Sequence, residues 1–186
     1  MTVEAIIPVR TFDGLSRLAS KASEAERAAT MRRLVDRTAS ATIGAGVTPV
    51  IVTADPDVAS WAARQDIRVV AEQGAGLDAA AASGIATVAA DAWLVIHADL
   101  PHISPADVAI AAELARCAVV LAPSHDGGTS LVGGSGRTFP FRYGPGSFRR
   151  HLFAVAGDAT ILVRPGLAID LDRPQDIDML EELGWL

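Results

Sequence analysis

Five short runs of nearly continuous apolar residues punctuate the first two thirds of the chain: EAIIPV (4–9), TPVIVTA (48–54), IRVVAE (67–72), AWLVIHA (92–98) and AVVLAPS (118–124). A strand with one face in water alternates apolar with polar residues. These runs do not, so both faces of the sheet they build must be covered. The covering layers lie between them. SEAERAATMRRLVDRTASATI (23–43), DPDVASWAARQ (55–65), GLDAAAASGIATVAA (76–90) and SPADVAIAAELAR (104–116) have helical length, with Ser23, Asp55, Asp78 and Ser104 placed to cap them. Strand alternating with helix predicts an α/β three-layer sandwich around a mostly parallel sheet.

After Pro123 the rhythm changes. The stretch from Ser124 to Phe148 is rich in Gly and aromatic residues and holds at most a short strand pair, around Ser130–Gly133 and Phe139–Arg142. GSFRRHLFAVA (146–156) then reads as a helix, ATILVR (159–164) as a strand and LAIDLD (167–172) as a strand end. RPQDIDMLEELG (173–184) reads as a last helix with Pro174 near its first position. No repeat or linker interrupts the 186 residues, and one domain spanning 1–186 is expected.

Charge and cysteine usage narrow the function classes. A net charge of −6 argues against a nucleic-acid-binding surface, which needs stripes of Lys and Arg. It leaves room for one nucleotide met by a metal ion and a few donors. The lone Cys117, expected in the core of a strand, allows no disulfide within the chain and suits a reducing compartment. No apolar run reaches membrane-spanning length and the first residues lack the pattern of a secretory leader, so a cytoplasmic location without a membrane partner is expected. The four histidines lack the spacing of a zinc site.

Ligands of open α/β sheets bind at the carboxyl ends of the parallel strands. Basic and Gly-rich loops alternate there with solitary carboxylates. PVRTFDGLSRLASK, with Arg10, Gly14, Ser16, Arg17 and Lys21, follows the first strand. QGAGLD follows the third, HADLP the fourth, PSHDGGTS the fifth, and Asp170 and Asp172 close the last. The pattern suits a phosphorylated ligand neutralised by arginines, backbone amides and Mg2+ held on aspartates. Asp99 ends the most hydrophobic strand. Ser104 fills the capping post of the next helix better, so Asp99 points to a metal or catalytic role. Gly76 and Asp78 also fit a plain turn with a capping aspartate, and Asp126 a turn aspartate. Asp170 and Asp172 alternate along one strand, so only one is expected to face a shared site, the other capping the last helix.

Several motifs together carry a family resemblance that runs nearly end to end: IPVRTFDGLSRLA, GAGLDAA, HADLPHISPADV, APSHDGGTSLV, FRYGPGSFRRHL and PGLAIDLDRPQDI. The chain resembles the guanylyltransferases of deazaflavin coenzyme F-420 biosynthesis, which join GMP to 2-phospho-L-lactate or phosphoenolpyruvate. The resemblance implies a mixed sheet of the glycosyltransferase-A-like, Rossmann-related nucleotidyltransferase type. It implies Mg2+ on Asp99 with a second ligand from Asp170 or Asp172. The loop from Pro8 to Arg17, with Arg10 and Ser16, would bind the nucleotide, together with Gly76 and Asp78. Thr129, Gly144, Gly146 and Ser147 would cradle the acceptor's phosphate, and Arg10 and Arg17 would hold the triphosphate during transfer. Expected partners are GTP, a small phosphorylated carboxylic acid, a downstream transferase of the same pathway and, permitted by the apolar composition, a second copy in a homodimer.

Three departures stand out. Leu15 replaces the usual lysine of the first loop, leaving Arg10 or Lys21 to compensate; Asp78 replaces an asparagine; Ser130 replaces the asparagine after Asp-Gly-Gly-Thr. Asp78 would accept hydrogen bonds from the guanine edge. The alternatives are another nucleotide or acceptor (3-phosphoglycerate, a molybdopterin cofactor) or a noncatalytic phosphometabolite-binding protein.

Overall fold

In the computed structural model, which describes residues 2–182, the first apolar run forms β1 (Val3–Pro8) near the middle of the sheet. The chain steps outward through β2 (Thr48–Thr53) and β3 (Arg68–Ala71), then returns across β1 to β4 (Ala92–Ile96). Beyond β4 lie β6 (Thr129–Ser135), β5 (Val120–Pro123) and β7 (Thr160–Ile161), in the order β3-β2-β1-β4-β6-β5-β7. β6 alone runs against its neighbours β4 and β5; every other pairing is parallel. This is the mixed, mostly parallel sheet expected. The direction of winding reverses between β1 and β4, so their carboxyl ends diverge and open a crevice.

Helices cover both faces. α1 (Glu24–Gly44), α2 (Pro56–Arg64) and α4 (Pro105–Ala115) pack on the face carrying Ala5, Ile7, Ile51 and Leu94. α3 (Leu77–Ala86) and α5 (Ser147–Ala154) pack on the face carrying Ile6, Val50, Trp93 and Val95. The alternation of Ala5, Ile6 and Ile7 between the two faces is the period of a strand buried on both sides. Ser23 and Ser104 close capping boxes with Glu26 and Asp107, and the Asp55 carboxylate accepts from the amides of Asp57 and Val58, as expected of all three.

Other expectations are corrected. The cap of α3 is Gly76, at φ +87°, and Asp78 lies inside the first turn, its Oδ1 accepting the amide of Tyr143 at 2.7 Å. Phe139–Arg142 forms no strand. Pro140 has no amide for a ladder, and Phe139 and Phe141 pack on Trp93 with ring centroids at 5.8 and 6.0 Å. Residues 167 and 168 belong to the short helix α6 (Pro165–Ala168), and 169–172 run extended outside the sheet, tied by the Leu171 amide to the Asp99 carbonyl at 2.8 Å. Cys117 is exposed in the turn after α4 rather than buried in a strand. The last helix, α7, covers Pro174–Glu182, and the rest of its expected span lies outside the described residues. No helix among these residues is long and apolar enough to cross a membrane.

Close contact of α3 with the sheet depends on Gly84. A β-carbon there would come within 2.2 Å of Ile6 Cγ2 and 3.0 Å of Val52 Cγ2, both branched and fully packed. Alanine is the better helix former by up to about 1 kcal/mol, yet overpacking costs about 1–3 kcal/mol. Gly84→Ala should therefore lower stability by about 1–2 kcal/mol, read as a lower urea midpoint. An unchanged or higher midpoint would show that the sheet can yield here.

Candidate active site

Two hollows meet at Leu77, over the carboxyl ends of β1 and β4. The larger, about 880 Å³, is lined by Pro8 at the end of β1, Arg10 just beyond it, Asp55 after β2 and Gly74–Gly76 before α3. Its volume lies in the range of roughly 300–1,000 Å³ usual for small-molecule sites. The smaller, about 320 Å³, gathers Asp99, Asp126, Asp170 and Asp172 with Thr129, Gly144, Gly146 and Ser147. Of the residues singled out in the sequence, Pro8, Arg10 and Gly76 thus share one hollow. Arg17, Asp99, Thr129, Gly144, Gly146, Ser147, Asp170 and Asp172 share the other. Ser16 lines neither and lies exposed in a single 3-10 turn, Ser16–Leu18. Asp78 also lines neither. Its contact with the Tyr143 amide ties the glycine loop of the larger hollow to the wall of the smaller one.

The carboxylates set the electrostatics. Asp99 Oδ1 and Asp170 Oδ1 are buried and accept no hydrogen bond from the described residues. Burial pushes the Asp99 carboxyl up to about 6, helped by the charges of Asp172, Asp126 and Asp176. Burial likewise pushes Asp170 up to about 6, with Asp99 and Asp126 adding repulsion. Both Asp170 and Asp172 line the cleft, so the expectation that only one would is corrected. Strict alternation does not apply, because 169–172 are not held in a ladder. Nor does either cap α7: Asp176 reaches back, its Oδ2 accepting the amides of Asp172 at 2.9 Å and Arg173 at 2.6 Å. Asp172 instead meets Arg17 in an ion pair. His125 stands between Asp170 (3.4 Å) and Asp176 (3.2 Å) and bonds through its amide to the Ala168 carbonyl.

Two orphaned buried oxygens on neighbouring carboxylates are the donor set of a hard divalent cation. Among the described residues no three His, Cys, Asp or Glu side chains form a metal cage. One or two carboxylates completed by water and phosphate oxygens is nevertheless the usual arrangement for Mg2+, so the residues fit such an ion.

Another part of the lining has the chemistry to meet an anion. Gly144 and Gly146 sit at φ +103° and +66°, where a side chain would strain the backbone, and Gly146 caps α5. The first amides of that helix are without partners in the helix itself, that of Phe148 donating instead to the Gly127 carbonyl at 3.3 Å. Thr129 and Ser147, each 2% exposed, bring their hydroxyls within 3.1 Å of each other. Asp126 does make the turn expected of it, accepting Ser124 Oγ at 2.7 Å and the Gly128 amide at 2.8 Å. Burial alone would raise that carboxyl, but these hydrogen bonds with His125 and Arg173 hold it below its ordinary range.

Leu15 turns its side chain into an apolar cluster with Leu18, Leu34, Ile169, Leu171 and Leu180. It thereby fastens the first loop to the segment that carries Asp170 and Asp172. Lys21 pairs with Asp178 of α7 and lines neither hollow. Arg173, which sequence reasoning passed over, lines the acidic cleft beside Arg17. His97 and Tyr143 were missed as well. Both line this cleft, and their buried Nε2 and hydroxyl have no hydrogen-bond partner among the described residues. The His before Ala98-Asp99 carried a positional hint; Arg173 and Tyr143 carried none. Ser130 faces away, its hydroxyl 3.3 Å from the Ala122 carbonyl, so that departure lies outside both hollows.

Raised carboxyls have a consequence for the metal-free protein. The folded state keeps protons that the unfolded chain loses near its ordinary value of 3.8. The stabilisation is complete below about pH 4 and lost as the pH rises through about 6. Asp99→Asn should therefore melt higher than the parent at about pH 7.5 in chelator, with the gap closing as the pH falls to about 4. A gap independent of pH in thermal melts would remove Asp99 as the group under strain.

Similarity to known proteins identifies the family. The family model described as "Guanylyl transferase CofC like" matches residues 3–180. A phosphoenolpyruvate guanylyltransferase from Rubrobacter xylanophilus is 36% identical over 196 residues, spanning 99% of this chain and 96% of that one. A 3-phospho-D-glycerate guanylyltransferase from Phenylobacterium zucineum is 37% identical over 189 residues, spanning 93% and 87%. Among solved structures, one from Desulfovibrio desulfuricans described as a nucleotide-diphospho-sugar transferase superposes with a TM-score of 0.85 at 16% identity, covering 99% of this chain and 88% of that one; at that identity it speaks for the fold alone. The matches cover nearly the whole chain, and the chain belongs to the CofC-like guanylyltransferase family.

Proposed function

We propose that the protein transfers GMP from GTP to the phosphate of a small phosphorylated carboxylic acid, in the biosynthesis of coenzyme F-420. The observation that carries this reading is the pair of orphaned carboxylate oxygens, Asp99 and Asp170, in a cleft that adjoins a nucleotide-sized hollow and an anion cradle. An acceptor phosphate oxygen attacks the α-phosphorus in line. One P–O bond forms, the bond to the β-phosphate oxygen breaks, and pyrophosphate leaves with the electron pair. An ionised phosphate is already a nucleophile, so the protein's work is to align two anions and offset their repulsion.

Each hollow has its share of that work. Pro8, Arg10 and the glycine loop through Gly76 hold the nucleotide, and Asp78 fixes that loop against Tyr143. Arg17 and Arg173 bring two guanidiniums to the acidic cleft, where the phosphates meet. Thr129, Ser147 and the amides at Gly144 and Gly146 hold the acceptor. Asp99 and Asp170 are the residues that would hold Mg2+, which would supply positive charge against the phosphates. Asp170 is favoured over Asp172 because its Oδ1 accepts no hydrogen bond, with only the His125 ring 3.4 Å away, whereas Asp172 is engaged by the Arg17 guanidinium. A third acceptor, 3-phosphoglycerate, is kept beside phosphoenolpyruvate and 2-phospho-L-lactate because one relative carries that name.

Pyrophosphate release tests the proposal, with GTP, ATP, CTP and UTP crossed against the three acids. Because the product is labile, the downstream transferase that consumes it serves as a trap. Turnover with GTP and one acid is expected. Silence with all three acids, with nucleotide binding intact, would reduce the protein to a binding module. Asp99→Asn and Asp170→Asn should each cost at least about 100-fold in kcat/KM while leaving the fold intact, and Asp172→Asn about tenfold. Equal losses at Asp170 and Asp172 would mean that both are ligands.

A further inference from the structure

We infer that His151 is a positioning residue that fixes the Thr129 hydroxyl as a hydrogen-bond donor toward the anionic group of the acceptor. The inference rests on the reading of the Thr129–Ser147 cradle given above, and extends it to a residue that touches no substrate. His151 lies on α5, one turn after Ser147, and is fully buried. The rings of Tyr143, Phe139 and Phe141 surround it at centroid distances of 4.8, 5.9 and 6.4 Å.

Both ring nitrogens are engaged, and one partner settles the tautomer. The amide of Arg142 donates to Nε2 at 2.8 Å. An amide can only donate, so Nε2 carries no proton. Burial keeps the ring neutral, its pKa pushed down to about 4. The single proton of a neutral imidazole must then sit on Nδ1. Nδ1 lies 3.0 Å from Thr129 Oγ1 and donates to it.

Ser147 Oγ donates to the same oxygen at 3.1 Å. A hydroxyl oxygen has two lone pairs and one proton. With Ser147 as the donor in that contact, both lone pairs are occupied and Thr129 gives its proton outward. It lines the acidic cleft beside Gly144 and Gly146. A threonine free to rotate would offer either a proton or a lone pair and would accept water as readily as a phosphate. Locked as a donor, it is matched to phosphate or carboxylate oxygen.

The ring's two functions can be separated by substitution. In His151→Gln the amide oxygen replaces Nε2, so the Arg142 contact survives and the bond to Thr129 is lost. In His151→Asn the amide nitrogen replaces Nδ1, so the bond to Thr129 survives. With GTP and the acceptor that turns over, H151Q should raise the acceptor's KM about tenfold with little change in the KM for GTP. H151N should recover most of that loss. Thr129→Val should match H151Q, and the double variant should be no worse than T129V alone. Equal losses in H151Q and H151N, or losses that add to T129V, would overturn the inference and leave His151 a packing residue. An acceptor KM untouched by T129V would instead show that the cradle itself is misread. Independently of turnover, long-range proton–nitrogen-15 correlation of the wild-type ring should show protonated Nδ1 and bare Nε2. A proton on Nε2 would overturn the inference whatever the kinetics.

Discussion

Carboxylates of like charge sharing a partly buried cleft cost free energy in any protein, and here Asp99 and Asp170 hold oxygens that accept no hydrogen bond. Much of the architecture around them serves to keep them there. Asp99 follows a strand whose five residues are all buried, so it cannot withdraw without disturbing the centre of the sheet. Asp170 rides on a segment outside the sheet and needs other anchors. The Leu171 amide binds the Asp99 carbonyl, Ile169 and Leu171 enter an apolar cluster with Leu18 and Leu34, and Asp176 holds the next two amides. Such a cost is sustained when a ligand removes it, which is why orphaned buried oxygens at a cleft signal a site rather than a packing error.

The neutral wall of the cleft follows the opposite logic. Phe139, Phe141 and Tyr143 pack in sequence against Trp93 and His151. They occupy the region where a strand had been expected. Aromatic side chains give that irregular segment the rigidity that ladder hydrogen bonds give elsewhere, and they hold the glycine turn at 144–146 against the start of α5. The substitution of leucine at position 15 belongs to the same pattern. Cationic reach is exchanged there for an apolar clasp, with Arg17 and Arg173 supplying positive charge in the cleft.

Legibility differed between these parts for physical reasons. Continuous apolar runs and three of four helix caps were visible because burial on both faces and capping are local properties. Asp99 was visible because a charge at the end of an apolar strand is costly unless a cation meets it. Asp78 was misjudged as a cap: a preceding glycine at positive φ took that post, and its partner, Tyr143, lies 65 residues away. The chain order of 169–172 suggested alternation, but alternation requires a ladder, and tertiary contacts withheld it. His97 stood beside Asp99 in the sequence, whereas the placing of Arg173 and Tyr143 in the cleft depends on tertiary packing that one sequence does not display.

The reversed direction of β6 makes the site's alignment a question of register. Because β6 runs against β4, its beginning rather than its end meets the end of β4, which brings Thr129 to the cleft of Asp99. The pairing is fixed by Ile96 opposite Leu131 and Val95 opposite Val132, all fully buried, with the His97 amide on the Ser130 carbonyl as the last rung. A slip of one residue would translate Thr129 by about 3.3 Å and turn its hydroxyl to the far side of the sheet. Aliphatic pairs deep in the sheet therefore act as the vernier of the proposed acceptor site, setting where the Thr129 hydroxyl stands relative to Asp99.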